Sequence, residues 1–143
     1  MGRVDLAGAQ RVLDAAVAHA SGIGVRVSVA VVDERGHEVL CARMDGAPWF
    51  TPHVARTKAR SCVALGMDSA DVASLDAAYP GLVRLIEEQV GHAVTGLGGG
   101  VLVTTTDDGS GTVLGAVAAS GATPEQDAEV ARAAAAAWLT RPA

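Results

Sequence analysis

Aromatic side chains are scarce in this chain: one Phe, one Tyr and two Trp, 3% of the residues. Half the residues are nevertheless hydrophobic, so Ala and Val must build most of the core. No apolar run is long enough to span a bilayer, and the opening residues Met1-Gly-Arg-Val-Asp-Leu lack the apolar stretch of a signal peptide. A cytoplasmic protein with no membrane partner is expected. Basic residues number 11 against 16 acidic, and the net charge of −5 argues against nucleic acid or an anionic membrane surface. Cysteine is nearly missing: Cys41 and Cys62 have no metal-type spacing and read as buried, reduced thiols. The histidines, His19, His37, His53 and His92, form no His-x-x-x-His or His/Cys pair, so a multi-ligand zinc or iron site is not expected.

What is present fits one domain, since 143 residues can bury a single core. Leu6, Ala9, Val12, Leu13, Ala16, Val17 and Ala20 recur at helical spacing and predict a helix over 5–21. A β-branched strand over 25–32, a turn at Asp33-Glu-Arg-Gly36 and a second strand over 37–44 make a hairpin. Thr51-Pro52 opens a helix closed by Gly66, and residues 69–90 read as helical with a break at Pro80-Gly81. Gly96-Leu-Gly-Gly-Gly100 lacks the Lys-Ser/Thr of a phosphate loop and reads as a mobile connection. Strands over 101–106 and 112–120 flank a turn at 107–111, and a final helix runs from Pro124 to about Leu139. Hairpins on either side of a helical insert predict an α+β fold with one antiparallel sheet of four or five strands.

The segment from Val113 to Asp127 carries the most information. An alternating strand ends at Ser120-Gly121, Thr123 is placed to cap a helix, Pro124 suits its first position, and Gln126 completes a capping box. Such a strand-to-helix corner offers backbone N–H groups to a small anion at Gly121, Ala122 and Thr123. Leu114 to Asp127 resembles the V-G-A-x-G-V-S-G-A-T-P-E-Q-D signature of the GlcG/HbpS-like family. These are haem-binding and "haem-degrading" domains that include the C-terminal domain of PduO-type proteins. Ala30-Val-Val-Asp33, Gly36 and Arg43-Met-Asp-Gly-Ala47 resemble a second family motif, and Ala55 to Ala59 a third, A-x-x-K-A. The resemblance spans nearly the whole chain and implies a profilin-like sheet with helices packed on it, a haem or related anionic ligand, and a homo-oligomer.

Arg43 offers a planar fork to a carboxylate, and Asp45 and the helix start at Thr51 are expected on the same side of the sheet. Arg56 and Lys58 are two apart on one helix, so at most one of them faces such a site. Haem needs a single protein donor, and His53, in the first turn of its helix, is the candidate metal ligand. His19 is second, because PduO-type relatives resemble haem ligators from the first helix. Trp49 and Phe50 depart from the family pattern; they can stack on a flat ligand, fill a cavity or pack at a subunit contact. Ala118 stands where relatives often have Gly and would narrow a nearby pocket. Tyr79, Glu125 and Asp127 complete the acid–base candidates. Three functions stay open: a small-ligand or haem-binding protein, a structural module, or a cofactor-independent lyase or isomerase. In the last, Arg43 holds a small carboxylate while His53 or Glu125 moves a proton.

Overall fold

The computed structural model describes residues 3–106 and 110–140. The turn expected over 107–111 therefore lies partly outside the described residues. Nine elements follow in order: α1 (Leu6–Gly22), β1 (Ser28–Asp33), β2 (Glu38–Arg43), α2 (Thr51–Leu65), α3 (Ser69–Ala78), α4 (Leu82–Val90), β3 (Gly100–Thr104), β4 (Val113–Ser120) and α5 (Pro124–Leu139). The strands form one antiparallel sheet in the order β2-β1-β4-β3. Both expected hairpins exist, and they join through β1 and β4, which pair from Ser28 opposite Ser120 to Asp33 opposite Gly115.

Helices cover both faces, which explains why the two central strands bury nearly every residue rather than alternate. On one face Val27, Val29, Val31, Val117 and Ala119 meet the Ala/Val stripes of α1 and α5. On the other, Ala30, Val32, Ala116 and Ala118 meet Ala55, Ala59 and Cys62 of α2. These side chains are small, so α2 lies close on the sheet. Ala118 is fully buried there; its methyl fills a sheet–helix contact and not a pocket.

The Gly-rich connection is a correction to the sequence reading. Gly99 and Gly100 are buried, the N–H of Gly100 donates to Ser69 Oγ at 2.8 Å, and Gly99 O accepts from Ala119 N–H at 2.9 Å. A Cβ at Gly100 would stand 2.8 Å from Cys62 Sγ, and one at Gly99, where φ is +129°, 2.6 Å from Lys58 Nζ. The glycines are there so that backbone can thread between α2 and β4. Ser69 also begins the covering of the β3 edge, which Asp68 completes by accepting the Leu102 N–H at 2.9 Å. Among the described residues no helix is long and apolar enough to cross a membrane.

Candidate functional site

At the strand-to-helix corner the capping box forms: Thr123 Oγ1 accepts the Gln126 N–H at 3.2 Å, and Gln126 Oε1 accepts the Thr123 N–H at 3.2 Å. Asp127 then folds back so that its Oδ1 accepts the Ala122 N–H at 2.9 Å. The N–H groups of Ala122 and Thr123, expected to be open to an anion, are thus occupied from within the chain. Gly121 packs against the backbone of Arg26 and Val27.

The other oxygen of Asp127 reveals a partner that sequence reasoning missed. Lys58 is fully buried, and its Nζ donates to Asp127 Oδ2 at 3.0 Å and to Ala119 O at 2.9 Å. Burial lowers the Lys58 pKa, and the Asp127 carboxylate opposes that shift. The ion pair ties α2 to the start of α5 across the end of the sheet. A signal for it existed. Lys58 falls on the buried stripe of α2 with Thr51, Ala55 and Cys62, and Asp127 on that of α5 with Val130, Ala131 and Ala134. A charge on an apolar stripe asks for a buried counter-charge. Arg56, two residues away, points elsewhere and pairs with Glu38 at 2.6 Å.

Arg43 and Thr51 each bond the loop between β2 and α2. Thr51 Oγ1 donates to Pro48 O at 2.8 Å, which leaves Ser28 Oγ to donate to Thr51 Oγ1 at 2.8 Å. Arg43 Nη1 donates to Ala47 O, and Arg26 Nη1 donates to Asp45 O, both at 2.9 Å. Two guanidinium groups therefore brace this loop, and Arg26 is a bracing residue that the sequence reading did not single out. Arg43 and Asp45 also line a cavity of about 340 Å³ with Leu13, Val17, Arg26, Ala42 and Met44. That cavity takes in neither His53 nor Glu125, so the structure does not gather the proton-transfer set. A second cavity, about 620 Å³, follows the β3 edge beside Asp68, Asp71 and Arg132 and contains none of the expected site residues. Burial raises the Asp68 pKa there, opposed by the Leu102 N–H.

Trp49, Phe50 and His53 gather at the N-terminal end of α2. Trp49 is 77% exposed and Phe50 47%. The Trp49 ring stands edge-on to Phe50 at 6.0 Å and to His53 at 6.3 Å between centroids. The exposed His53 ring has no hydrogen-bond or ion-pair partner among the described residues. Two of the other histidines have one: His19 with Glu129 at 3.0 Å and His92 Nδ1 with Ala93 O at 2.9 Å; the exposed His37 Nδ1 lies 3.9 Å from Asp33 Oδ2, beyond hydrogen-bond reach. Glu125 is exposed on the first turn of α5, and Tyr79 is exposed at the end of α3. Among the described residues no three His, Cys, Asp or Glu side chains gather as a metal site. One imidazole with open nitrogens, beside flat apolar rings, can ligate a single metal centre or exchange a proton.

The family model described as "Haem degrading protein HbpS-like" matches residues 4–136. The chain belongs to the HbpS-like family. Solved structures agree. Klebsiella pneumoniae protein ORFY is 30% identical with a TM-score of 0.85, covering 99% of this chain and 94% of that one. A double mutant of Streptomyces reticuli HbpS is 31% identical at a TM-score of 0.81, covering 95% and 87%. The PduOC:haem complex is 28% identical at a TM-score of 0.80, covering 94% of each chain. This HbpS-like chain shares their four-stranded sheet and flanking helices.

Proposed function

We propose that this HbpS-like protein binds haem, with His53 as the iron ligand, Trp49 and Phe50 against the flat ring, and Arg43 toward a haem carboxylate. One observation carries the assignment: among the described residues the His53 ring has no hydrogen-bond or ion-pair partner, and it stands edge-on to the exposed Trp49 ring. The aromatic rings beside it fit the same ligand. Trp49 and Phe50 present apolar ring surface to solvent, which isolated soluble domains rarely leave uncovered without a partner. Arg43 uses Nη1 to hold the Trp49 loop, and its remaining donors suit a carboxylate. Bound haem would supply redox-active iron, and the chain's part is to donate one nitrogen and to shield one side of the ring. The family model and the PduOC:haem complex support the ligand class. A cytoplasmic homo-oligomer belongs to this reading, the two free cysteines favouring a reducing compartment.

The test is a ferric haem titration of the wild type and of His53→Ala, His19→Ala and His37→Ala, read at the Soret band. The expected result is saturation at one haem per chain and a loss of at least roughly tenfold in affinity, about 1.4 kcal/mol, for His53→Ala alone. A matching loss in His19→Ala instead would move the ligand to the seam of α1 and α5, where His19 meets Glu129. Absence of saturable binding would end the haem reading.

A further inference from the structure

Resting on the haem reading with Arg43 as its first carboxylate anchor, we propose that Arg26 is a second anchor, so that the protein selects a ring bearing two acid groups. Arg26 stands two residues before β1, and Arg43 closes β2 opposite Ser28. Beyond that pair Val27 O accepts the Met44 N–H at 3.0 Å, which carries the pairing past the ends of both strands. Antiparallel pairing thus brings both arginines to one end of the sheet, where they line the same cavity of about 340 Å³.

Each guanidinium is already oriented by one bond. Arg26 Nη1 donates to Asp45 O and Arg43 Nη1 to Ala47 O, both at 2.9 Å. Among the described residues neither arginine pairs with a carboxylate. A guanidinium has five N–H donors in one plane, so each keeps donors for an acid oxygen. Groups fixed before binding lose little entropy when the ligand arrives.

The rest of the cavity fits the acid-bearing edge of a tetrapyrrole. Leu13 and Val17 of α1, with Ala42 and Met44, give it apolar walls, and Asp45 is the one acidic residue in the lining against two arginines. Haem ends on one edge in two short apolar arms, each closed by a carboxylate, and that mixture matches the lining. The loop over 45–50 runs from this cavity at Asp45 to the rings of Trp49 and Phe50. Acid contacts and ring contacts therefore lie at the two ends of one short segment. A neutral ligand would use the apolar walls and neither guanidinium.

Arg26 also braces the loop, and a loosened loop would weaken any ring alike; a ratio of two affinities separates the roles. Ferric haem and its dimethyl ester, which keeps the ring and iron and lacks both acid groups, are titrated at the Soret band. The proteins are the wild type, Arg26→Gln, Arg43→Gln and Arg26→Gln/Arg43→Gln, with far-UV circular dichroism confirming the fold. The wild type should prefer haem over the ester by roughly tenfold, each single variant by roughly threefold, and the double variant should bind both alike. An Arg26→Gln variant that keeps the full preference overturns the proposal even if it binds both compounds more weakly, because that loss is bracing alone. A wild type that binds haem and ester equally also overturns it and leaves the haem reading standing. Absence of saturable binding by either compound ends the haem reading and this proposal with it.

Discussion

Replacing Lys58 with Met tests how the corner after β4 is held. The change keeps an unbranched apolar stem and removes the ammonium that reaches Asp127 Oδ2 and Ala119 O. Asp127 is then left with the Ala122 N–H as its side-chain partner, at a side-chain exposure of 3%. Breaking one side of a buried pair costs about 3–5 kcal/mol. Domains of this size are stable by about 5–15 kcal/mol, so at least about a fifth of the total is at stake. With a urea slope of about 2 kcal/mol/M, the midpoint should fall by roughly 2 M. Asp127→Leu should cost a similar amount, since it strands Lys58 and frees the Ala122 N–H. The double variant Lys58→Met/Asp127→Leu removes both charges and should cost about 2 kcal/mol less than the two single losses together. Urea unfolding followed by circular dichroism reads all three. Single losses under about 1 kcal/mol, or a strictly additive double variant, would refute the view that this pair anchors α5.

Three more outcomes follow from the same interior. Burial makes Lys58 release its proton more easily in the folded chain than in the unfolded one, whose ordinary value is 10.5. The unfolded state therefore holds more protons in that window, and stability should rise as pH climbs toward 10.5, an increment that Lys58→Met lacks in urea melts at alkaline pH. Gly100→Ala puts a methyl 2.8 Å from Cys62 Sγ and 2.9 Å from Lys58 O, so thermal melts should show a loss of about 1–3 kcal/mol; an unchanged melting temperature would mean that the backbone there gives way. The Cys62 thiol is pushed up to about 12, chiefly by burial, so at neutral pH it should resist a thiol reagent until the chain unfolds; prompt labelling of folded protein at Cys62 would contradict this.

Local chemistry explains which parts of the molecule were readable in advance. Thr123, Pro124 and Gln126 each act within a few residues, and α5 begins at Pro124 as they dictate. Gly66 and the Pro80-Gly81 break likewise end and separate helices where expected. Long-range packing was the harder part. The anion corner was read as open because nothing local says that Asp127 will bend back on Ala122 while Lys58, 69 residues away in sequence, takes its other oxygen. Gly96–Gly100 read as mobile because a glycine run looks the same whether it supplies motion or close approach; only the position of α2 decides. Arg43 and Asp45 were expected on the side of Thr51, and the bonds that hold this loop run to backbone carbonyls, which sequence does not mark. His53 was singled out by its place on α2, where its ring stands edge-on to Trp49, a contact that sequence spacing alone does not give.

The central claim is a bond from haem iron to His53, and it is best tested by comparing haem with the same ring lacking iron. Absorbance and fluorescence titrations of ferric haem and iron-free protoporphyrin IX would be run on the wild type and on His53→Ala. Trp49 and Phe50 should hold either ring, whereas only iron can use the imidazole nitrogen. The account predicts that the wild type prefers haem by at least roughly tenfold, and that His53→Ala binds both rings alike, at the iron-free level. A variant that keeps the full preference for haem would contradict it.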